Sequence, residues 1–361
     1  MTGYPVGYWH FYATPRGGHP LLTKQWSTGM CNMGGRNSRT LTREPNGHLV
    51  HIRTAEYPRA DHFLLHLSDT HLLAGGNQLY NSVDSEAHLK RLFADIERSG
   101  GRPEAIIFTG DLADRGESDA YQRLRAIVEP AAARLGADVI WVMGNHDKRE
   151  AFRVELFDEV PTAKPVDRVY DVNGLRVITL DSSVPGAHWG EVTDDQLDWL
   201  AEELSVDAPH GTILAMHHPP LPSVLDLAVL VELRDQSKLA EVLEGTDVRS
   251  IIAGHLHYSS TGTFAGIPVS VASATCYTQD LTVPVGGTRG RDGARAYNLV
   301  HVYDNTVLHS VVPLGEFAPL DYIDADETER RLAVAGVRIG EAVSEPVPQE
   351  PPMTLPIQVL A

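Results

Sequence analysis

Five polar clusters, each following a short apolar run, constrain the fold of this chain more than any other feature. The clusters are Asp69-Thr70-His71, Gly110-Asp111, Gly144-Asn145-His146-Asp147, His217-His218 and Gly254-His255-Leu256-His257. Apolar runs of strand length that alternate with helix patterns predict an α/β layered core. Parallel strands in such a core end at one edge of the sheet, where ligands bind. The five clusters are therefore expected to gather in one place.

The same pattern predicts the main strands and helices. Strands are predicted at residues 63–67, 105–109, 139–143, 176–180, 212–216, 251–253, 267–272 and 297–303. Helices are predicted at 84–99 and 118–135, both followed by glycine, and after Thr193, which with Gln196 resembles a capping box. The last two strands have no helix between them, so they predict an antiparallel addition to the sheet.

Spacing within the clusters indicates shared pockets. Side chains two residues apart in an extended segment point the same way, so Asp69 with His71, and His255 with His257, can each serve one pocket. A glycine before a polar residue lets the backbone turn sharply off a strand and approach an ion closely. Such glycines are Gly110, Gly144 and Gly254.

Each cluster alone has an ordinary structural explanation. A histidine after a strand is commonly a hydrogen-bonded structural residue, an aspartate there commonly caps a helix, and a Gly-Asp pair is commonly a turn. Five such clusters at one sheet edge would leave many polar groups unpaired unless something bound them. The set therefore predicts a metal centre.

Charge and composition limit the partners. The formal net charge is −18, which disfavours an extended nucleic-acid-binding surface. A small phosphate ester is still compatible with a metal site that is locally positive. No apolar run approaches the roughly 20 residues of a membrane helix, so no transmembrane segment is expected. The only two cysteines are Cys31 and Cys276, which makes a disulfide framework improbable and favours the cytoplasm. Cys276 is expected to be a small buried residue.

Three segments are predicted along the chain. Residues 1–58 show no periodicity and are expected to be disordered, or a non-native N-terminal extension with the native product beginning near Met30 or Val50. They also lack the features of a secretory signal. Residues 59–314 form the single catalytic domain. Residues 315–361 are an acidic tail that contains a Pro- and Glu-rich run at 343–352 and is expected to be solvated.

The order of these motifs resembles the calcineurin-like metallophosphoesterases, whose signature is D-x-H, GD, GNH(D/E), H and GHxH. The match runs from Asp69 to His257. The segments His-His-Pro-Pro at 217–220, Gly-His-Leu-His-Tyr at 254–258 and Ala-Ser-Ala-Thr-Cys-Tyr at 272–277 look like the bacterial class III cyclic nucleotide phosphodiesterases, especially the actinobacterial branch. The resemblance covers about residues 50–314. It implies a four-layer α-β-β-α sandwich with one catalytic domain.

The resemblance also implies a ligand set for two metal ions. Asp69, His71 and His257 would hold the first ion, and Asn145, His217 and His255 the second, with Asp111 bridging them. In that family the first site often carries iron and the second manganese, zinc or iron. The expected cofactors are therefore iron and manganese, with zinc as an alternative. Imidazole with carboxylate and amide oxygen suits these ions on physical grounds, whereas calcium sites are all oxygen.

A mechanism follows from the charges. Two neighbouring dications lower the pKa of a bridging water and yield hydroxide near neutral pH. Only Asp69 and Asp111 are anionic among the ligands, so the site stays positive and stabilises the transition state of a phosphodiester. His146 is predicted to contact the phosphate and protonate the leaving oxygen, with Asp147 orienting it; the alternative for both is a hydrogen-bonded turn. The residues predicted to contact substrate are His71, Asn145, His146 and His257.

Several neighbouring residues are given lesser roles. His218 is expected to make a hydrogen bond behind the ligands, and Asp114, Asp181 and Ser182 to serve capping and turn roles. His88 and His188 have no assigned partner. Residues 77–81 and 277–280 are the candidate loops for base recognition.

The predicted function is hydrolysis of 3′,5′-cAMP to AMP, with 2′,3′-cyclic nucleotides as further substrates. One alternative is a broader phosphodiesterase or phosphomonoesterase, because the same metal centre serves many leaving groups. Another is a non-catalytic scaffold, which the complete set of seven ligands disfavours. Related phosphodiesterases form dimers, so a homodimer is expected by analogy.

Overall fold

Two facing β-sheets carry the five polar clusters. The computed structural model describes residues 40–43 and 49–342, with side chains described from residue 52. The strands are β1 Thr40–Arg43, β2 Leu49–Thr54, β3 His62–Leu67, β4 Ala105–Phe108, β5 Asp138–Trp141, β6 Arg168–Val172, β7 Leu175–Leu180, β8 Thr212–Met216, β9 Val248–Ala253, β10 Ser260–Phe264, β11 Ile267–Val271, β12 Thr278–Gln279, β13 Gly290–Arg291, β14 Ala296–Tyr303, β15 Thr306–Pro313 and β16 Val337–Arg338.

Six α-helices and two 3₁₀ turns complete the described secondary structure. The helices are α1 Ser85–Ser99, α2 Ser118–Leu135, α3 Arg149–Phe157, α4 Asp194–Glu203, α5 Gln236–Leu243 and α6 Ala325–Val334, and the 3₁₀ turns are Ala74–Gly76 and Asp226–Val231. The Asp84 carboxylate caps α1, Gly100 ends it in a left-handed conformation, and Thr193 with Gln196 forms a complete capping box on α4. The helix starts and stops predicted there are confirmed.

The sheets have parallel centres and antiparallel edges. One sheet has the strand order β15-β14-β3-β4-β5, in which β3, β4 and β5 are parallel and β14 and β15 are antiparallel additions. The other has the order β10-β11-β9-β8-β7-β6, in which β7, β8, β9 and β11 are parallel and the edges are antiparallel. The carboxyl ends of β3, β4, β5, β8 and β9 therefore lie at one edge of the sandwich.

Alternation along each strand builds three apolar layers. Leu64 and Ile107 point between the sheets, where they join buried side chains of β7, β8 and β9. Leu65 and Phe108 point the other way and pack under α1, α2 and α3. The outer face of the second sheet packs in the same manner under α4 and α5. Each fully buried aliphatic side chain contributes about 1.5–3 kcal/mol to stability. The predicted four-layer α-β-β-α sandwich is confirmed.

One predicted strand has a different partner. The antiparallel addition predicted for residues 297–303 is present, since β14 pairs antiparallel with β3. The segment predicted at 267–272 was expected to join it, but β11 pairs parallel with β9 in the other sheet. That prediction is wrong because β10, which the apolar pattern did not reveal, forms a hairpin with β11 and returns the chain in the parallel direction.

Both ends of the described chain carry secondary structure outside the predicted catalytic domain. β1 and β2 lie within residues 1–58, whereas α6 and β16 lie within residues 315–361. β2 pairs antiparallel with β1 and parallel with β16. β2 and β16 were missed because each pairs with a strand from the opposite end of the chain. Every residue of α6 is at least partly exposed. Residues 1–39, 44–48 and 343–361, on which the expectations of disorder, an alternative start and a Pro-rich tail mainly fall, lie outside the described residues.

Within the described ranges, no helix combines the length and apolar character that spanning a membrane requires.

Candidate metal centre

All seven predicted metal ligands meet at the carboxyl edge of the two sheets. Asp69 and His71 follow β3, Asp111 follows β4, and Asn145 follows β5. From the second sheet, His217 follows β8, and His255 and His257 follow β9. The loops of the two sheets are joined directly, because the backbone N–H of His255 donates to Asp69 Oδ2 at 3.0 Å.

One group of ligand atoms surrounds the carboxylate that follows β3. His71 Nε2 lies 3.2 Å from His257 Nε2, and His257 Nε2 lies 3.3 Å from Asp69 Oδ1. Among the described residues, Asp69 Oδ1 has no hydrogen-bond partner although it is fully buried. A buried carboxylate oxygen left in this state is costly unless a cation or donor reaches it.

A second group lies beside it on the loops after β5, β8 and β9. His217 Nε2 lies 3.1 Å from Asn145 Oδ1 and 3.1 Å from His255 Nδ1. Imidazole nitrogens and an amide oxygen are ligand atoms that first-row transition metals bind. The amide is oriented by His188, whose Nδ1 accepts from Asn145 Nδ2 at 3.0 Å, so that Oδ1 is left facing His217.

Asp111 lies between the two groups. Its Oδ2 is 3.5 Å from His71 Nε2 and 3.3 Å from His217 Nε2. Its Oδ1 accepts from the backbone N–H of His146 at 2.9 Å. One oxygen of Asp111 therefore faces ligand atoms of both groups, which is the placement that a bridging carboxylate requires.

The four imidazoles share one arrangement. Each bonds through one ring nitrogen to an acceptor outside the centre and leaves the other nitrogen facing the other ligand atoms of the centre. The bonds are His71 Nδ1 to Asp114 Oδ1 at 3.1 Å, His217 Nδ1 to the Thr109 carbonyl at 2.7 Å, His257 Nδ1 to the Tyr277 carbonyl at 3.1 Å and His255 Nε2 to the Val231 carbonyl at 2.9 Å. An acceptor on one nitrogen fixes the proton there and exposes a lone pair on the other, as in metal-ligating histidines. The donor set fits iron, manganese or zinc better than calcium.

The electrostatics of the centre favour cations. Burial raises the pKa of Asp69, but the His257 and His217 imidazoles outweigh burial and hold it below its ordinary value. For Asp111 burial again opposes His217 and His71, and the pKa is held well below the ordinary value. Burial lowers the pKa of His217, yet Asp111 and Asp69 raise it to about 9, so a metal ion that binds Nε2 would displace a proton from it. Both carboxylates are thus ionised at neutral pH and attract positive charge.

Backbone strain is concentrated at the same loops. Asp69, His71, Asp111, His255 and His257 all have positive φ, between 44° and 72°. Such conformations are uncommon outside glycine and persist where the surrounding structure enforces them, typically at functional sites. The three glycines predicted to let the backbone approach an ion closely all lie where a Cβ would overlap a neighbouring group, which at Gly110 is the backbone of Gly144. A Cβ on Gly144 would overlap the backbone of Asp111, and one on Gly254 would overlap Ser68.

The structure separates the two residues predicted to act as an acid pair. His146 is partly exposed beside the centre, with its ring 4.7 Å from that of His71, and its Nδ1 donates to the Asp114 carbonyl at 2.7 Å. Asp147 accepts instead from the backbone N–H groups of Leu112, Ala113 and Gly144 and from the Tyr121 hydroxyl.

The prediction that Asp147 orients His146 is therefore wrong. The Asp147 carboxylate is directed into the core below α2, where it fixes the loop after Asp111, and burial raises its pKa to about 6.

Asp114 and His188 hold other residues of the centre in place, and the sequence predicted this only in part. Asp114 was expected to serve a capping or turn role, but its carboxylate anchors His71 and its carbonyl anchors His146. His188 had no assigned partner. Its carbonyl accepts from His218 Nε2 at 3.1 Å, while His218 Nδ1 accepts from Ser182 Oγ at 2.9 Å. Both nitrogens of His218 are therefore occupied, as expected for a residue behind the ligands. Asp114 follows Asp111 by three residues in the same loop, which was the available sequence signal, whereas His188 had none.

Several known proteins with a similar sequence or fold are named as phosphoesterases. The model of the calcineurin-like phosphoesterase family matches residues 64–259. A probable cyclic nucleotide phosphodiesterase of Rhodococcus erythropolis is 65% identical over 292 residues, which are 81% of this chain and 97% of that protein. A cAMP/cGMP dual specificity phosphodiesterase of Mycobacterium tuberculosis is 58% identical over 305 residues, 84% of this chain and 96% of that protein. A dimetal phosphatase of Danio rerio shares the fold, with a TM-score of 0.51, 15% identity and coverage of 71% of this chain and 98% of that one.

Proposed function

Because the chain belongs to the calcineurin-like phosphoesterase family, we propose that it hydrolyses 3′,5′-cyclic nucleotides, with 3′,5′-cAMP converted to 5′-AMP. The observation that carries this proposal is the complete ligand set of the candidate metal centre in a chain so similar to two relatives named as cyclic nucleotide phosphodiesterases. In a scaffold without metals, nothing would require four anchored imidazoles and two carboxylates to face the same space.

Two metal ions are assigned to the centre. Asp69, His71 and His257 would hold one ion, Asn145, His217 and His255 would hold the other, and Asp111 would contribute to both. Iron and manganese are the proposed pair, with zinc as an alternative, because imidazole, carboxylate and amide donors suit these ions. When bound, the ions supply Lewis-acid charge stabilisation and an activated water.

A side chain of this protein is needed to protonate the leaving oxygen. Hydrolysis leaves the oxygen of a water molecule on phosphorus and breaks the bond from phosphorus to O3′; the water gives one proton to solvent, and O3′ takes up a proton from a side chain that solvent then reprotonates. His146 is the proposed donor of that proton. The Asp114 carbonyl holds His146 Nδ1–H at 2.7 Å, which leaves Nε2 as the ring nitrogen available to the leaving oxygen.

Substrate contacts are proposed for the residues at the mouth of the centre. His71, Asn145, His146 and His257 surround the space beside Asp111 and can position phosphate oxygens. A cytoplasmic location and a homodimer remain proposals that rest on the cysteine usage and on related phosphodiesterases.

The test is hydrolysis of four substrates by the manganese-loaded protein beside the Asn145→Ala variant. The substrates are 3′,5′-cAMP, 2′,3′-cAMP, bis(p-nitrophenyl) phosphate and p-nitrophenyl phosphate. We expect cleavage of the diesters, little cleavage of the monoester and loss of activity in the variant. The two cyclic nucleotides rank against each other by kcat/KM, which decides whether 2′,3′-cyclic monophosphates are also substrates.

Two outcomes would contradict the proposal. Cleavage of the monoester alone would identify a phosphatase. No turnover despite two bound metals, measured by elemental analysis, would identify a scaffold.

A further inference from the structure

A cavity of about 400 Å³ opens beside the metal centre, and we propose that it binds the base of a purine nucleotide whose phosphate lies at the metals. The inference rests on the proposed function. The lining of the cavity includes Tyr80, Tyr277 and Gln279. Its volume lies in the range of cavities that hold small ligands. Both loops predicted from the sequence for base recognition contribute to its wall.

The cavity is joined to the centre through one residue. The Tyr277 carbonyl anchors the metal-site imidazole of His257, while the Tyr277 ring lies 4.4 Å from the His257 ring and 6.4 Å from the His71 ring. The same ring lines the cavity. A ligand that spans the two sites therefore has an anionic end at the metals and a flat apolar part against aromatic rings.

Tyr80 supplies an exposed aromatic face. Its side chain is 70% exposed, and its ring meets the Tyr277 ring edge-on at a centroid distance of 5.3 Å. The Tyr80 hydroxyl donates to the Tyr277 hydroxyl at 3.3 Å. Tyr80 also has a positive φ of 53°, which is uncommon for a bulky residue and indicates a loop held in a strained conformation. An exposed ring held in this way is suited to stacking on a base.

Gln279 supplies an unused hydrogen-bond acceptor. Its Oε1 is buried, and within residues 52–342 it has no hydrogen-bond partner. Buried polar atoms are rarely left unpaired, because an unmade hydrogen bond is costly. Gln279 lines the cavity, and rotation of its amide about the last side-chain bond can bring this oxygen to the wall, where it can accept from the exocyclic amino group of adenine or guanine. The geometry therefore points to a purine with an amino group as the preferred base.

The chain offers a matched control for Tyr80 at the opposite edge of the sheet. Tyr57 is 52% exposed, and its ring meets the Tyr303 ring edge-on at 5.7 Å. Tyr303 ends β14, beyond the residue that pairs with His62 at the start of β3, so this pair lies far from the carboxyl edge. Replacement of either tyrosine removes a similar exposed ring, but only one removal affects the cavity.

The first experiment is isothermal titration of the manganese-loaded full chain with 5′-AMP and with ribose 5-phosphate, which is the same molecule without its base. We expect the wild-type protein to bind 5′-AMP more tightly. Tyr80→Ala should reduce that preference by roughly fivefold or more, the effect of a lost stacking ring, whereas Tyr57→Ala should keep it. Equal affinity of the wild-type protein for both ligands, or an unchanged preference in Tyr80→Ala, would overturn the inference.

The second experiment tests the acceptor. The ligands are 5′-AMP and purine riboside 5′-monophosphate, which lacks the exocyclic amino group, and the variant is Gln279→Leu, which keeps side-chain size. We expect the wild-type protein to prefer 5′-AMP by about three- to tenfold and the variant to lose this preference. No wild-type preference, or an equal preference in Gln279→Leu, would exclude the role of Oε1.

These outcomes separate the two proposals. A protein that cleaves bis(p-nitrophenyl) phosphate but not 3′,5′-cAMP would refute the proposed function, and the binding preferences would still decide the inference. If the protein hydrolyses 3′,5′-cAMP but shows no base preference in binding, only the proposed role of the cavity in base binding is refuted.

Discussion

Histidines and carboxylates cluster at both edges of the sheets, yet only one cluster has the chemistry of a metal site. The metal centre lies at the carboxyl ends of the strands. At the amino ends, His62, Glu104, His210 and Asn173 form an opposite-edge cluster on residues that precede or begin β3, β4, β8 and β7. The two regions contain similar residue types, so the difference between them shows what distinguishes a ligand set from a structural network.

The opposite-edge cluster is a linear chain of hydrogen bonds. His62 Nδ1 donates to Glu104 Oε2 at 3.1 Å, and His62 Nε2 accepts from His210 Nδ1 at 2.6 Å. Asn173 Nδ2 also donates to Glu104 Oε2 at 2.7 Å, and the Phe63 N–H donates to Oε1. Both nitrogens of His62 and both oxygens of Glu104 are thus used within the protein.

The metal centre leaves lone pairs unused. Its imidazoles are each anchored on one side only, and Asp69 Oδ1 has no hydrogen-bond partner in the described part of the chain. His71, Asp111 and His255 also have positive φ, whereas none of the four residues of the opposite-edge cluster except Asn173, in a β-turn, does. Both edges contain histidines. The carboxyl edge differs because its lone pairs converge on one space and most of its ligands have positive φ.

The largest expected difference between the two edges comes from removing one carboxylate at each. Asp111→Ala should remove or misplace both metals and lower kcat/KM by roughly 10⁴-fold, since it takes out a shared member of a catalytic unit. Glu104→Ala at the opposite edge should keep metal content and activity. Metal analysis and hydrolysis of 3′,5′-cAMP measure both. Full activity with both metals in Asp111→Ala would refute the bridging role.

A histidine at each edge gives the next comparison. His146→Ala should retain both metals while lowering kcat by roughly 10²- to 10⁴-fold, the usual loss for a general acid. His210→Ala should leave kcat unchanged because the ring is remote from substrate. An unchanged rate in His146→Ala would assign His146 to a hydrogen-bonded turn instead.

Asp114→Asn tests the anchoring that distinguishes the metal centre. The amide keeps the size of the side chain but removes the charge that holds the His71 Nδ1 proton, so metal affinity should fall by about 10- to 100-fold. Titration with manganese in the presence of a competing chelator measures this loss. Affinity equal to that of the wild-type protein would show that the backbone alone orients His71.

The smallest effect is expected on stability at the opposite edge. Burial raises the pKa of Glu104, but hydrogen bonds from His62 and Asn173 outweigh it and lower the pKa below its ordinary value of 4.5. The ionised carboxylate therefore stabilises the folded state above pH 4.5, and this contribution is lost as the pH falls through the folded-state pKa. Glu104→Gln should lower the free energy of unfolding by about 1 kcal/mol at pH 7.

Urea unfolding at pH 7 and pH 4 checks the sign. The difference between the wild-type protein and Glu104→Gln should shrink at the lower pH, where the wild-type carboxyl begins to take up a proton. A difference that stays constant, or grows, would contradict the assignment of Glu104 as the ionised member of the cluster. Activity at pH 7 should be the same in both proteins.

Much of the fold was predictable because its signals are local. β8 and α2 have the bounds predicted from the sequence, since an apolar run bounded by turn residues and a capped amphipathic segment are both readable within a short window. The edge strands β6, β10 and β15 were missed. Their faces are half exposed, so their apolar pattern is weak. β1 and β2 were missed because β2 depends on a partner from the other end of the chain.

The gathering of the seven candidate ligands was predictable from the sequence alone, because each of them follows one of five strands and parallel strands end at one edge. Which groups surround those ligands was decided only by the tertiary structure. Asp147 is adjacent to His146 in the chain, yet it faces the core, whereas the His146 ring is held by the carbonyl of Asp114, 32 residues away in the sequence. His188 orients Asn145 from 43 residues away. Sequence spacing orders residues along one segment, but a hydrogen bond depends on the direction of a side chain and on the partner that packing brings against it.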